Sequence, residues 1–401
     1  GINKMRIVRS SKCTTKFMTA EKRSALRRVL EEYGRVVNIF IDHFWELPSP
    51  PSKAELLKPI VDLPETWLTA RLRKVAAREA LDMISSSREA CETKRHELLD
   101  AASRKFNRGN VNQCRKLRER AENLQAVKPT HFGRTMSVST TIANLREPKD
   151  AKEFDGWLEI RCVGEGISID IPIHFHRHFR KLNLRGERQQ AYVVSLDWVQ
   201  FPFEIETGPK RDGKVVVGID TGIKSLATLS TGEKFGTDIE PIIDRINRCE
   251  HGSKGQQRAR RALRQRIDEV AREITSRDDL DVVVVERLTG LGFFTKVRRR
   301  LTRKMRRSVG AWLYGYWLDK LRRNTEDDRV GFRSVPAWNT SITCPHCGII
   351  DRRNRPSQSV FHCRGCDHTG DADVVASENI EGRFLSGPYG AGCKPLRLGL
   401  A

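Results

Sequence analysis

KVVVGIDTGIKSLATLS (Lys214–Ser230) and DVVVVERL (Asp281–Leu288) decide how the second half of this chain folds. Each contains a Val-rich run of strand length that closes on an acid, Asp220 in the first and Glu286 in the second. Runs of this kind suit strands buried on both faces, so their ends are expected to meet at one edge of a sheet. Two carboxylates brought together there repel each other unless a cation lies between them, and hard oxygen donors of this type suit Mg²⁺. A third carboxylate on a helix packed over the sheet would complete a two-metal site. Asp373, followed by residues of helical composition, can supply it, with Asp371 as the second choice. Taken singly, an Asp at a strand end is more often a turn or cap residue, and Glu286 beside Arg287 reads equally well as a plain ion pair. Order and context raise the three together: strand and Asp, strand and Glu, then Asp at the start of a helix.

The context is basic. Seventy-three Lys and Arg face 51 Asp and Glu in 401 residues, a formal charge of +22. An excess of this size favours polyanionic partners, because neutralising phosphates releases their counterions. No apolar run approaches a membrane span, and residues 1–20 carry no leader pattern, so a soluble, cytoplasmic, nucleic-acid-binding protein without a membrane partner is expected. Arg258, Arg261 and Arg264 mark one basic stretch. Arg299, Arg300, Arg303, Lys304 and Arg307 belong to a second, in which eight cations fall between Thr295 and Arg307. Like charges this dense are costly without a polyanion nearby, although the bland alternative is a solvated helix face. Trp312, Tyr314, Tyr316 and Trp317 could stack on bases, but at helical spacing most are expected in the core.

Six of the ten cysteines are scattered. The other four form Cys344-x2-Cys347, then 15 residues, then Cys363-x2-Cys366. Two such knuckles complete a tetrahedron around one Zn²⁺, and with all four positions Cys the ion is structural, with no open position. His346, His362 and His368 are nearby but are not needed as ligands.

Upstream, apolar residues recur at helical spacing from Ala20 to Trp45, and a charged helical block covers about 65–120 with a break near 107–112. Strand-like runs follow over about 135–205, and Met5–Phe17 reads as a further strand of the same barrel. Beyond Gly208-Pro209 come the two acidic strands, a hairpin strand over Leu226–Ser230, helices over about 255–277 and 302–324, and a loosely ordered tail.

GIDTGIKSLATLSTGEKF, VVVVERLTGL, VPAWNTSITCPHCG, FHCRGC and DADVVASENI resemble the RuvC motifs and inserted zinc ribbon of the TnpB family, RNA-guided transposon nucleases related to the miniature type V CRISPR effectors. The resemblance covers about Val215–Ile380. It implies a multidomain α+β fold: an N-terminal β-barrel with a helical insertion, then an RNase H-like (RuvC) α/β nuclease domain carrying a four-cysteine zinc ribbon. The implied domains are a wedge-like barrel at 1–18 and 132–210 and a helical recognition domain at 19–131. The nuclease occupies 211–340 and 370–385, the ribbon 341–369 and the tail 386–401. Asp220, Glu286 and Asp373 would hold two Mg²⁺ for hydrolysis of DNA beside a short flanking motif. The implied partners are a guide RNA and a double-stranded DNA target, with the protein a monomer or a homodimer on the RNA. From its Gly and its position, LGFFTKV (Leu291–Val297) is expected to be a mobile lid over the site. Two other readings compete: a guide-dependent DNA-binding repressor with little cleavage, and a structure-selective nuclease that needs no RNA.

Overall fold

The structure, a computed structural model, describes residues 5–107, 109–148, 153–287 and 313–386. The cationic run at 295–307, the expected lid, the first part of the helix expected at 302–324 and nearly all of the tail lie outside the described residues. The chain is multidomain α+β and divides into two compact units, Lys4–Thr207 and Gly208–Ala401. Among the described residues no helix is long and apolar enough to cross a membrane.

The first unit runs β1 (Met5–Thr14), α1 (Ala20–Trp45), α2 (Lys58–Val61), α3 (Ala70–Phe106), α4 (Val111–Glu122), β2 (Thr135–Ser139), β3 (Ala143–Arg146), β4 (Gly156–Ile160), β5 (Ile169–Ile173), α5 (Arg177–Arg185), β6 (Glu187–Arg188), β7 (Ala191–Ser195) and β8 (Trp198–Thr207). Helix α1 begins where the sequence signals it, with the Thr19 hydroxyl accepting from the Lys22 amide. Its stripe from Leu26 to Phe44 is buried. The charged block breaks at Asn110, whose side chain caps α4 by accepting from the Gln113 amide. β1 pairs antiparallel with β8 over its whole length, from Met5 opposite Thr207 to Thr14 opposite Trp198. The strands of this unit hydrogen-bond as two sheets, one of order β1-β8-β7-β2 with β6 on β8, the other β3-β4-β5.

A buried polar network ties the helices of this unit together. Tyr33 of α1 donates its hydroxyl to Glu79 Oε2 of α3 at 2.6 Å, and His131 Nε2 lies 3.3 Å from Glu79 Oε1. The Gly133 amide donates to His131 Nδ1 at 3.1 Å, which leaves Nε2 to donate to the carboxylate. Asn38 exchanges two bonds with the His131 backbone, at 2.9 and 2.8 Å. Only glycine fits at position 34, because a Cβ there would come within 2.5 Å of Gly133 Cα.

The second unit runs β9 (Val215–Asp220), β10 (Ala227–Leu229), β11 (Lys234–Phe235), α6 (Ile239–Arg248), α7 (Lys254–Thr275), β12 (Leu280–Arg287), α8 (Tyr314–Asp327), β13 (Gly331–Pro336), a 3₁₀ turn (Arg352–Asn354), β14 (Val360–His362), β15 (Thr369–Asp371) and α9 (Ala372–Leu385). The main sheet has the order β11-β10-β9-β12-β13. β9, β12 and β13 run parallel, and β10 and β11 return antiparallel. Both faces are covered, as the Val-rich runs require. Val217, Ile219, Val283 and Val285 pack with apolar residues of α6, α7 and α8. Val216, Val282 and Val284 pack with Val335, Ile380 and Phe384, the last two from α9. Each fully buried Val contributes roughly 1.5–3 kcal/mol, so the two faces hold the strands from either side. Helix α9 comes closest at Gly218, where a Cβ would meet the Ser377 carbonyl oxygen at 2.1 Å and the Glu381 nitrogen at 2.6 Å. Backbone packs directly on backbone there.

Candidate carboxylate and metal sites

Side chains on a strand alternate between faces. Asp220 therefore shares a face with Val216 and Gly218, and Glu286 shares one with Val282 and Val284: for both acids, the face covered by α9. The β9–β12 ladder pairs Ile219 with Val285, so the two acids stand one step beyond that pair. Asp373 lies in the first turn of α9. Three elements far apart in sequence thus bring three carboxylates to one sheet edge.

Their electrostatics show mutual proximity. The Asp220 carboxyl is pushed up to about 8, first by burial and then by the negative charges of Glu286 and Asp373, with Arg355 pulling the other way. Glu286 is also raised by burial, and here the Thr340 hydroxyl, Arg383 and Arg355 oppose the shift. A cluster that disfavours its own ionised state this strongly suits a hard divalent cation, whose charge removes the repulsion.

Asp371 is engaged elsewhere. It caps α9, with Oδ1 accepting from the Asp373 and Val374 amides at 3.0 and 3.2 Å, while Oδ2 pairs with Lys234 Nζ at 2.8 Å. Burial works against its ionisation, but the Lys234 bond and the two amides outweigh burial and hold the carboxyl below its ordinary value.

Several residues of the site were not singled out from sequence. Arg355 donates to Asp373 Oδ1 at 3.1 Å and to the Gln358 carbonyl at 2.7 Å. Thr340 donates its hydroxyl to Glu286 Oε1. Asn379 of α9 donates to the carbonyls of Thr340 and Thr343, both at 2.8 Å. Buried Arg383 donates to the carbonyls of Pro336 and Trp338. The Tyr314 hydroxyl lies 3.4 Å from the Glu286 carbonyl oxygen. Only Asn379 and Arg383 had a usable signal, since each is a polar residue beside apolar ones in the final helix, Asn379 before Ile380 and Arg383 before Phe384.

The four cysteines come together as their spacing predicts. Among the described residues they are the one group of three or more Cys, His, Asp or Glu side chains whose ligand atoms all lie within 4.8 Å of one another. Cys344 and Cys366 sulfurs are 3.6 Å apart, those of Cys347 and Cys363 3.4 Å. A tetrahedral zinc with Zn–S bonds near 2.3 Å needs sulfurs about 3.8 Å apart, so the quartet fits zinc. Burial works against a thiolate at Cys363, yet the Gly365 and Cys366 amides and the neighbouring thiols bring it down to about 7. The second knuckle is followed by β15, and α9 begins at the next residue, so the cysteine cluster leads directly into the helix of Asp373.

Arg258, Arg261 and Arg264 are exposed along one face of α7, opposite the buried Ala259, Leu263 and Ile267. Arg264 lies over the Tyr316 ring, 5.7 Å from its centroid. Arg266, two residues further on, is instead held by Asp238, Glu269 and Glu273. Arg299, Arg300, Arg303, Lys304 and Arg307 lie outside the described residues. Trp317 is fully buried, and Tyr314 and Tyr316 pack partly buried against the same core.

Residues 314–380 match the family model described as Cas12f1-like, TNB domain. The CRISPR-associated endodeoxyribonuclease Cas12f1 of Sulfoacidibacillus thermotolerans is 33% identical over 69 residues, 17% of this chain and 16% of that protein. The putative RNA-guided DNA endonuclease InsQ of Escherichia coli K12 is 27% identical over 216 residues, 45% of this chain and 52% of that protein. The chain thus spans about half the length of one of these relatives and less of the other. A solved structure of the mini-RNA-guided endonuclease CRISPR-Cas phi3 superposes with a TM-score of 0.52 at 10% identity, covering 93% of this chain and 92% of that one, a likeness of fold. In sequence the chain is similar to these TnpB-like proteins and miniature type V effectors.

Proposed function

We propose that this chain is an RNA-guided DNA endonuclease in which Asp220, Glu286 and Asp373 are the catalytic carboxylates. The observation that carries the reading is the acid cluster itself: strand, strand and helix deliver three carboxylates to one edge, and Asp220 is raised to about 8 by its surroundings. Perturbation of this kind, from burial plus specific charged neighbours, marks sites kept for chemistry. We read 211–340 and 370–385 as an RNase H-like nuclease domain, a reading supported by the sheet order β11-β10-β9-β12-β13 and by the helices over both its faces. The ribbon at 341–369 would be an insertion within it, holding one structural Zn²⁺ on Cys344, Cys347, Cys363 and Cys366. We read 1–18 and 132–210 as a barrel-like wedge domain, supported by the unbroken β1–β8 pairing, and 19–131 as the helical recognition domain.

The acids would hold two Mg²⁺, which when bound supply Lewis-acid stabilisation of the attacked phosphate and a nucleophile at neutral pH. The protein's own part is to orient. Asp220 and Glu286 are fixed at the ends of buried strands, and Asp373 is held by a capped helix. Arg355 adds fixed positive charge beside Asp373, favourable to a bound phosphate. Arg258, Arg261 and Arg264 would contact backbone phosphates, which fixes register without reading sequence. Pairing with a guide RNA would then select the double-stranded DNA target beside a short flanking motif, a reading supported by the similarity to InsQ, a putative RNA-guided DNA endonuclease.

The test is plasmid cleavage by protein purified with co-expressed flanking RNA, run with Mg²⁺, with EDTA and without guide. Cutting that requires both Mg²⁺ and guide is expected. Guide-independent cutting would overturn the reading in favour of a structure-selective nuclease, and guide-dependent binding without cutting would favour a repressor.

A further inference from the structure

We propose that Thr340 is a positioning residue for Glu286, held in place by Asn379, so that the helix bearing Asp373 also sets the orientation of the second acid. The inference rests on the metal-binding reading of the acid cluster. Thr340 is 3% exposed and Thr343 is fully buried, and the segment joining them lies between the sheet edge and the first cysteine. A hydroxyl has one proton to give. Its nearer acceptor is Glu286 Oε1, and its other candidate, the Ala337 carbonyl, lies at 3.3 Å. The proton therefore goes to the carboxylate and restrains rotation about its last bond.

Asn379 explains why Thr340 cannot drift. Its amide group has two donors, and both are spent on this segment, one on the Thr340 carbonyl and one on the Thr343 carbonyl. Asn379 is itself only 6% exposed and lies on α9 six residues after Asp373. Thr343 in turn donates its hydroxyl to the Asn339 carbonyl at 2.6 Å, closing the turn on itself. One rigid path thus runs from α9 through Asn379 and Thr340 to Glu286, and a shift of the helix moves both acids together. Removing the hydroxyl leaves a buried carboxylate with one donor fewer and freer to rotate, which weakens its hold on a cation more than it weakens the fold.

The experiment uses the full-length chain. Thermal unfolding is followed across a Mg²⁺ titration, with cleavage measured in parallel, for wild type, Thr340→Val and Thr340→Ser. Ligand that binds only the folded state raises the unfolding temperature logarithmically with its concentration over Kd, so the Mg²⁺ concentration that gives a fixed rise, taken as the midpoint, scales with Kd. Thr340→Val is expected to move the Mg²⁺ midpoint upward by about tenfold or more, the scale seen for outer partners of metal ligands, and Thr340→Ser to restore it. A Thr340→Val midpoint equal to wild type overturns the proposal, because a role confined to closing the Ala337–Thr340 turn would lower the metal-free unfolding temperature and leave the midpoint unmoved. Should Thr340→Val not fold, Asn379→Ala must show the same upward shift, and a wild-type midpoint there is equally fatal. If wild type gives no Mg²⁺ response at all, the reading of the acid cluster fails first, and that failure is visible before any variant is made.

Discussion

Glu79 in the first unit and Asp220 in the second are both carboxylates largely withdrawn from water, and burial pushes both toward the neutral form. Their outcomes differ because of their neighbours. Around Glu79, bonds from His131 and Tyr33 overcome burial and leave the carboxyl below its ordinary value. Around Asp220, two further acids reinforce burial, and the carboxyl rises to about 8. A buried charge that is fully partnered rigidifies its surroundings, whereas one left facing like charges destabilises the fold until a counter-ion arrives. The first unit spends its buried acid on joining helices, and the second sets Asp220 facing two further acids.

The sharpest way to break this contrast is Asp220→Asn. If Asp220 acts on the scissile phosphate, cleavage falls by roughly 10²–10³-fold or more. The same change removes a repulsive charge, so unfolding in EDTA should move to higher temperature, by about 2–4 °C for each kcal/mol relieved. Loss of cleavage together with a lower unfolding temperature would mean that Asp220 is a structural partner like Glu79. Next in size is Glu79→Ala, which leaves the Tyr33 and His131 donors buried without an acceptor and should cost about 1–3 kcal/mol per stranded group. Unfolding of the first unit, followed by denaturant titration or hydrogen exchange, reads this directly, and a neutral result would put Glu79 in the same class as Asp220.

The two acids also give stability opposite slopes with pH. Asp220 has a folded value of about 8 against an ordinary 3.8, so its favourable contribution is complete below about pH 4 and is lost as pH rises toward 8. Glu79 has a folded value below its ordinary 4.5, so its contribution is present above that value and is lost as pH falls through the folded one. Unfolding temperature measured from about pH 3 to 8.5 in EDTA should therefore decline on the alkaline side through Asp220 and on the acid side through Glu79. Saturating Mg²⁺ should flatten the alkaline side and leave the acid limb unchanged. An alkaline decline that Mg²⁺ does not touch would place its origin outside the acid cluster. The smallest effect concerns the arginine face of α7. Arg258→Ala and Arg261→Ala should each weaken nucleic-acid binding uniformly across sequences and lower the salt slope by about 1, with no change in either pH limb.

The acid strands and the cysteine knuckles were legible because their signals are local. A Val-rich run with an acid at its end, or C-x2-C repeated after a suitable interval, states its own geometry. Helix α1 was legible for the same reason, through its stripe and its Thr19 cap. Arg355, Thr340 and Tyr314 carried no such signal, because each reaches the acids across a turn or from a helix start rather than through periodic placement. The Glu79 network was silent for a different reason: Tyr33, Glu79 and His131 lie on separate segments, and no motif joins them. The separation of the two acids in Asp371-Ala-Asp373 likewise depends on Lys234 of the β11 hairpin, which the spacing of the triplet cannot show. The β-rich run was readable strand by strand, but which strands pair, β1 with β8 across nearly 200 residues above all, is set by contacts that no window of sequence contains.

Gly218 has a further consequence. Because α9 rests on β9 through main-chain atoms at this point, the clearance between the helix of Asp373 and the strand of Asp220 is gauged by parts that no side-chain rotamer can relax. Here even one added methyl lifts the helix like a shim, two residues before the strand ends at Asp220. The tolerance of this chain to mutation is therefore uneven, and one of its narrowest points is a residue with no side chain.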